Sequence, residues 1–201
     1  MANDVQNAPL DNLDRPGPGP YLPLERIDLV VRDCAPGDIP AIQAIYAPHV
    51  LQGFASFEEL PPDAAAMAQR RDEVIGRGLP FLVAEERGKV MAYAYAGPFR
   101  LRSAYRYTVE DSIYVARDAL GRGIGRTLLA ELVARCTSLG LRQMIAVTGT
   151  LGASASVRMH ERLGFRAIGV LPQIGWKRGQ WLDATLLQLT LGPGGSRPPD
   201  R

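Results

Sequence analysis

The stretch 107–129 constrains the fold more than any other part of the chain. Its sequence is YTVEDSIYVARDALGRGIGRTLL, in which a β-branched strand pattern passes through a glycine-rich turn at 121–125 into an apolar helical pattern. The free N–H groups of such a turn, next to the partial positive charge of a helix N-terminus, can bind an anion such as a phosphate. The same spacing also fits a tight strand-to-helix connection that needs glycine only for its backbone angles.

Two common nucleotide-binding classes do not fit this turn. No Lys-Ser/Thr pair follows it, as a P-loop requires. A dinucleotide-binding turn is followed about twenty residues later by an acidic residue closing a second strand. The predicted strand at 143–147 ends without one.

A carboxylate lies in the strand that leads into the turn. Side chains alternate along a strand, so Glu110 is predicted on one face and Asp111 on the other, together with Ile113 and Val115. Apolar neighbours would desolvate Glu110 and raise its pKa toward neutrality, which suits a general base. A solvated acid on an exposed strand face explains the pattern equally well.

Other candidate site residues have simple structural alternatives. His160 falls on a predicted short helix and is either functional or a packed helical histidine, whereas His49 follows a proline and is interpreted as an incidental loop residue. Arg100 and Arg102 could hold an anionic substrate group or be solvated. Phe57 could line a pocket or cover the core.

Composition excludes several function classes. The net charge is +2, with 23 basic and 21 acidic residues and no basic run, and aromatic residues make up 7%, so nucleic acid is not expected as a partner. No stretch approaches the roughly 18 apolar residues of a membrane span. Two cysteines, with Cys136 in an apolar helical stripe, favour a reducing cytoplasm.

One mixed α/β domain is expected. Residues 1–25 hold five prolines and are predicted to be a disordered leader, 26–191 form the folded domain, and 192–201 form a flexible tail. Hydrophobic periodicity predicts strands at 26–32, 81–86, 90–96, 105–116, 143–147, 165–171 and 183–191. Helices are predicted to begin at 36–38 and at 61–63, and to span 124–139 and 156–163. Trp176 and Trp181 are predicted to be packing anchors.

Short matching stretches, in one order along the chain, carry a resemblance to a known family. They are LVAE at 82–85, AYAYAGPF at 92–99, AY at 104–105, TVE at 108–110, IYV at 113–115, GIG at 123–125, SVRMHE at 156–161, LGF at 163–165 and GQWLD at 179–183. With these stretches the chain, over about 27–190, resembles the GNAT superfamily of N-acetyltransferases, and within it the phosphinothricin and methionine sulfone acetyltransferases.

The resemblance implies a fold and a set of roles. The fold would be a twisted mixed sheet flanked by helices and splayed at its middle, where acetyl-CoA inserts. Glu110 would deprotonate the substrate amine, and His160 would orient the substrate or supply a proton near the leaving thiolate. The N–H of Val115 would polarise the thioester carbonyl and stabilise the developing oxyanion. No metal is implied.

The resemblance also implies which residues bind the two substrates. The pantetheine arm would pair with the backbone of Ile113, Tyr114 and Val115. The expected diphosphate-binding residues form the turn: Gly121, Arg122, Gly123, Ile124, Gly125 and Arg126. The expected substrate-binding residues are Phe57, Arg100, Arg102, Tyr105 and Tyr107. Relatives of this kind are commonly homodimers.

Two positions depart from the family pattern. Leu120 replaces a usual Gln or Arg at the start of the turn, where contacts are mostly made by the backbone. Ala153 replaces an asparagine that often precedes the histidine by seven residues, so a hydrogen bond to pantetheine is either missing or supplied by Ser154.

The sequence therefore predicts direct acetyl transfer from acetyl-CoA to the amine of a small amino acid or analogue, of the phosphinothricin, methionine sulfone or sulfoximine type. Two alternatives stay open. One is a non-catalytic CoA-binding sensor on the same fold, and the other is an acetyltransferase for another amine, such as a protein N-terminus or an aminoglycoside.

Overall fold

A computed structural model describes residues 29–149 and 154–199. Within them lie seven strands and four α-helices, joined by turns and short 3-10 helices. In chain order they are β1 (Leu29–Asp33), α1 (Ile39–Gln52), α2 (Ala64–Gly76), β2 (Phe81–Glu86), β3 (Lys89–Pro98), β4 (Thr108–Val115), α3 (Ile124–Ser138), β5 (Gln143–Gly149), α4 (Ser154–Glu161), β6 (Arg166–Lys177) and β7 (Gln180–Thr190). The predicted leader, 1–25, lies outside the described residues.

The strands form one mixed sheet in the order β1-β2-β3-β4-β5-β7-β6. Every described pair of neighbours is antiparallel except β4 and β5, which run parallel and are joined through α3. The prediction of a mixed α/β fold is confirmed. The parallel pair lies in the middle of the sheet, where the glycine turn leads from β4 into α3.

Local sequence explains several of the boundaries. Asp63 caps α2, since its carboxylate accepts a hydrogen bond from the N–H of Ala66 at 2.8 Å. Gly140, with φ of 77°, follows α3 in the left-handed conformation that commonly ends a helix. The β2–β3 hairpin turns through Arg87 and Gly88, both with positive φ.

Two hydrophobic clusters cover the two faces of the sheet. The larger contains Leu128, Leu132 and Cys136 of α3, packed against alanines of β3 and Met144 of β5. The smaller joins α1 and α2 to Phe81 and Tyr93. Cys136 is fully buried with a free thiol, so its predicted place in the core is confirmed.

Several predicted elements have different bounds. β4 begins at Thr108 because 103–105 form a 3-10 turn, with the N–H of Arg106 bonded to the carbonyl of Ser103 at 3.2 Å. α4 spans Ser154–Glu161, earlier than predicted. β6 and β7 are longer than predicted and form one extended hairpin.

The prediction that Trp176 and Trp181 anchor the packing is wrong. They are 54% and 58% exposed, and their rings contact each other edge to face at 5.3 Å. They face each other across the hairpin as a cross-strand pair, so each ring covers the other and neither reaches the core.

The segment after β7 is described as far as residue 199. Buried Arg142 donates hydrogen bonds to the carbonyls of Gly194 at 3.4 Å and Pro198 at 3.3 Å.

In the described part of the chain, no helix combines the length and the apolar character needed to cross a membrane.

Shortening a buried side chain of α3 tests this packing. Leu132 is fully buried, so Leu132→Ala is expected to lower the free energy of unfolding by about 2–5 kcal/mol. The matched control is Leu51→Ala in α1, where the side chain is 53% exposed and the expected change is small. Urea denaturation measures both, and equal losses would contradict the described core.

Candidate active site

Strands β4 and β5 separate halfway along their length. Their parallel register runs from Thr108 opposite Gln143 to Asp111 opposite Ala146 and ends there. Both strands continue, β4 to Val115 and β5 to Gly149. We call the space between 112–115 and 147–149 the β4–β5 cleft.

The pairing of β3 with β4 decides which main-chain groups face this cleft. The N–H of Ala116 bonds to the carbonyl of Met91 at 2.8 Å, and that of Phe99 bonds to the carbonyl of Thr108 at 3.3 Å. In an antiparallel ladder, bonded residues alternate with residues whose N–H and C=O point the other way. The main-chain groups of Ile113 and Val115 therefore point into the cleft.

One of these groups, the carbonyl of Val115, already has a partner in His49. His49 belongs to α1, not to a loop, and its Nε2 lies 3.0 Å from the carbonyl oxygen of Val115. Its ring also lies 5.5 Å from that of Tyr114. His49 thus ties α1 to the end of β4, and the interpretation of it as incidental is wrong.

The glycine turn leaves the start of α3 open. Gly123 is the N-cap of α3 with φ of 82° and has no side-chain cap. Apart from its chain neighbours, no described residue has an atom within 4 Å of where a Cβ would be. The first-turn N–H groups of Ile124, Gly125 and Arg126 therefore have no acceptor within the helix. A Cβ on Gly125 would lie 3.1 Å from Val115, so glycine there lets α3 approach β4 closely.

The two arginines of the turn differ in whether their side chains can bind a ligand. The Arg122 guanidinium forms an ion pair with Glu86 at 2.5 Å, so Arg122 can contribute its backbone but not its side chain. Arg126 is exposed and, with Arg162, lines an open groove of about 600 Å³ beside α3. Ser154 begins α4, but its side chain and all of Ala153 lie outside the described structure.

Glu110 is half-buried on the face of the sheet that carries α1 and α2. Burial and the neighbouring charge of Asp111 raise its pKa, and Arg100 lowers it to a smaller extent. No described side chain hydrogen-bonds to its carboxylate. A carboxyl group with a raised pKa, one partly open face and no partner is suited to accept a proton.

The loop 99–107 stands beside Glu110, because Gly97 pairs with Glu110 across β3 and β4. Arg100 lies over the ring of Phe99 at 4.5 Å, and the ring of Tyr105 meets Phe99 edge to face at 5.8 Å. Phe99 therefore holds Arg100 and Tyr105 together in this loop, and the charge of Arg100 acts on Glu110.

The other predicted wall residues are placed differently. Arg102 is exposed, and its guanidinium forms no hydrogen bond, ion pair or ring contact with a described residue. Tyr107 is covered by Arg106 at 4.7 Å, and no described contact joins it to Arg100. Phe57 is 40% exposed and lies over Gly149, where β5 ends, so it belongs to the far wall of the cleft.

The structure does not bring His160 to Glu110. Its ring is 1% exposed on the opposite face of β4, with Nε2 3.1 Å from Asp111 Oδ2 and Nδ1 2.8 Å from the carbonyl of Ser156. A ring held in this way cannot contact a substrate or a thiolate without breaking one of these bonds. The arrangement therefore argues against the expected direct role of His160.

Asp111 is a functional candidate that the sequence motifs alone did not indicate. A signal was present, because strand alternation placed an acid on the face otherwise formed by Ile113 and Val115. A carboxylate on an apolar face must find a partner. That partner, His160, comes from a helix 49 positions later.

A mixed sheet that opens between two parallel strands, beside an uncapped helix start and a carboxylate with a raised pKa, is the arrangement that the resemblance to acetyl-CoA-dependent acyltransferases implies. Comparison with known proteins agrees. Residues 43–165 match the Acetyltransferase (GNAT) family. The chain is 50% identical over 177 residues to a phosphinothricin N-acetyltransferase of Alcaligenes faecalis, covering 88% of this chain and 90% of that one.

Solved structures give the same answer. A GNAT superfamily phosphinothricin acetyltransferase from Sinorhizobium meliloti, in complex with AcCoA, is 47% identical with a TM-score of 0.83, over 86% of this chain and 94% of that one. A protein from Salmonella typhimurium, solved with its cofactor acetyl-CoA, is 36% identical with a TM-score of 0.81, over 86% of this chain and 98% of that one. The chain belongs to the GNAT acetyltransferase family and is an acyltransferase.

The turn predicts a specific binding defect. Gly123→Val forces a β-branched residue into a left-handed conformation at the start of α3, so the affinity for acetyl-CoA is expected to fall at least about tenfold. Gly140→Val is the matched control. Gly140 also has a positive φ, 77°, and similar open space around it, but it lies at the other end of α3. Isothermal titration calorimetry on both variants decides, and an equal loss in each would remove the turn from the binding site.

Proposed function

We propose that this enzyme transfers the acetyl group of acetyl-CoA directly to the α-amine of a small amino acid that carries a second polar or anionic oxygen group. Phosphinothricin, methionine sulfone and methionine sulfoximine are substrates of this type. The names of the relatives support the class, including a methionine sulfoximine/methionine sulfone acetyltransferase from Pseudomonas aeruginosa that is 41% identical over 169 residues. The observation that carries the proposal is the half-buried Glu110 beside the cleft, whose carboxylate has no hydrogen-bond partner among the described residues.

Glu110 would prepare the amine. An amino acid arrives mostly as an ammonium ion, which has no lone pair for attack on a carbonyl carbon. The raised pKa of Glu110 brings it closer to the pH at which the enzyme works, and a positioned base contributes about 10²–10⁴-fold to the rate. Neither cysteine is available as a nucleophile, since burial raises the pKa of Cys34 to about 11 and of Cys136 to about 12.

The cleft and the turn fit acetyl-CoA, which supplies an activated acetyl group. The main-chain groups of Ile113 and Val115 would hold the pantetheine arm in the manner of an added strand. An N–H on this edge would polarise the thioester carbonyl. The amides from Gly121 to Arg126 would hold the diphosphate. No cluster suited to a metal ion occurs among the described residues.

Arg100 would select for a substrate with a negative or strongly polar group. Its positive charge lowers the pKa of Glu110, and the contact of its guanidinium with the ring of Phe99 fixes the orientation of the side chain. Holding the amine and the thioester together would contribute on the order of 7 kcal/mol to lowering the barrier. Arg102 is exposed in the same loop and would supply a second positive charge to bind the substrate.

Replacing the base tests the reaction. Glu110→Gln keeps the shape of the side chain, so acetyl-CoA affinity should stay near wild type while kcat falls about 10²-fold or more. The rise of kcat/KM on the acidic side, set by the raised pKa of Glu110, should disappear. Glu73→Gln, an exposed change on α2, is the control.

The assay follows thiol release with methionine sulfone, methionine sulfoximine and phosphinothricin, and includes a peptide N-terminus and an aminoglycoside. Wild-type activity unaffected by Glu110→Gln would exclude Glu110 as the base. Tight acetyl-CoA binding without turnover of any amine would favour a CoA-binding sensor.

We further propose that the enzyme is a cytoplasmic homodimer that associates through the β6–β7 hairpin. β6 is the edge strand of the sheet, and four of its apolar side chains are more than half exposed: Ile168, Val170, Ile174 and Trp176. An open apolar edge strand pairs readily with another chain. Two buried free cysteines support a reducing compartment.

Charges on the edge strand should prevent this association. The double variant Ile168→Lys, Val170→Lys is expected to elute as a monomer in light-scattering chromatography while the wild type elutes as a dimer. Val30→Lys changes a side chain of equal exposure on β1, the opposite edge, and should leave the dimer intact. A monomeric wild type, or a dimer lost only in the β1 variant, would contradict the proposal.

A further inference from the structure

The Asp111–His160 pair is almost completely enclosed. The two side chains are 2% and 1% exposed, and the ring of Phe165 meets the imidazole edge to face at 4.9 Å. His160 Nε2 lies 3.1 Å from Asp111 Oδ2. The other carboxylate oxygen, Oδ1, is buried and has no hydrogen-bond partner among the described residues.

The partners of the imidazole fix how many protons the pair holds. The carbonyl of Ser156 can only accept, so His160 Nδ1 must carry a proton. A second proton lies between Nε2 and Oδ2, and the charge of Asp111 that raises the pKa of His160 favours this proton on Nε2. The two groups then form an ion pair without net charge, in which Asp111, the residue next to Glu110 along β4, carries the negative charge. Loss of the shared proton would leave that charge buried without its counter-ion.

The pair also lies at the point where the cleft begins. Asp111 is the last residue of β4 that pairs with β5, opposite Ala146. Its side chain reaches His160 of α4, the helix that follows the free end of β5. Glu110, its neighbour along β4, points to the other face.

We propose that the buried Asp111–His160 pair positions Glu110 for catalysis: it fixes β4 at the residue where β5 diverges, and it sets the charge that Glu110 experiences from the opposite face of the strand. The inference rests on the proposed function of Glu110. Asp111 and His160 act through Glu110 and are positioning residues, not catalytic residues.

The charges around Glu110 support this role. Its pKa is raised by burial and by Asp111 and lowered by Arg100. On the pair itself, burial opposes the imidazolium, but the hydrogen bond and charge of Asp111 and the carbonyl of Ser156 outweigh it and raise the pKa of His160. Cys136 approaches Asp111 from α3, and its own pKa of about 12 keeps it neutral.

The raised pKa of His160 gives the pair a distinctive pH dependence. The stability that the pair contributes is fully present below the ordinary pKa of histidine and is lost as the pH rises through the raised value in the folded chain. A hydrophobic contact of the same shape would show no such dependence.

Asp111→Asn separates the positioning role from a purely structural one. The asparagine amide can donate to Nε2 of a neutral His160, so the shape and one hydrogen bond remain while the negative charge beside Glu110 is removed. The acidic limb of the kcat/KM profile should move to lower pH by roughly half a unit or more. Asp33→Asn, the same change at an exposed carboxylate of β1, should leave the limb in place.

The protonation of His160 provides a readout that needs no turnover. Nitrogen-15 NMR of the imidazoles is simple to assign because the chain has two histidines. We expect both nitrogens of wild-type His160 to stay protonated or proton-shared above pH 6.5, the ordinary pKa of histidine, and a neutral ring in Asp111→Asn.

The outcomes are separable. An unmoved acidic limb in Asp111→Asn with a lowered melting temperature would show that the pair is only structural and would overturn the inference. A wild-type His160 that titrates at or below the ordinary pKa would overturn it even if Asp111→Asn does not fold. If no amine is acetylated, the proposed function fails, whereas the NMR titration still decides whether the pair exists.

Discussion

The site depends on main-chain hydrogen bonds that β4 does not make. Beyond Asp111 the strand stays bonded to β3 on one side. On the other side, Ile113 presents its N–H and C=O, and Val115 its N–H, to a cleft instead of to β5, while the carbonyl of Val115 is bonded to His49. Backbone polar groups inside a protein need partners. An extended arm with amide groups of its own, such as pantetheine, can supply them in the manner of a strand. The acyl group would thereby reach the middle of the sheet, where Glu110 lies.

Glu110 and Asp111 are neighbours in β4, but they lie on opposite faces of the strand and have different roles. Glu110 faces α1 and α2, is partly open, and has no side-chain partner among the described residues. Asp111 faces α3 and α4, is enclosed, and is bound to His160. Because they are adjacent, the position and charge of the enclosed residue act on the open one. Gly125 completes the arrangement, since the absence of a side chain there allows α3 to lie against Val115 with its first turn facing the cleft.

Local patterns predicted much of this. The strand, turn and helix of 107–129 and the opposite faces of Glu110 and Asp111 follow from periodicity, which neighbouring residues determine. The opening of the sheet did not follow from periodicity, because it depends on the pairing of segments far apart in sequence, and only the family resemblance implied it. The contacts of His49 with Val115 and of His160 with Asp111 span 66 and 49 positions. No local pattern contains such contacts, so one histidine was dismissed and the other was given a direct role.

Amide hydrogen exchange of β4, measured residue by residue with and without acetyl-CoA, tests the central claim most directly. If the coenzyme pairs with the open edge of β4, the amides of Ile113 and Val115 and those of the first turn of α3 become strongly protected on binding. The amides of Ser112 and Tyr114, which are bonded to β3, should change little. Binding that leaves Ile113 and Val115 exchanging at their free rate would contradict the account.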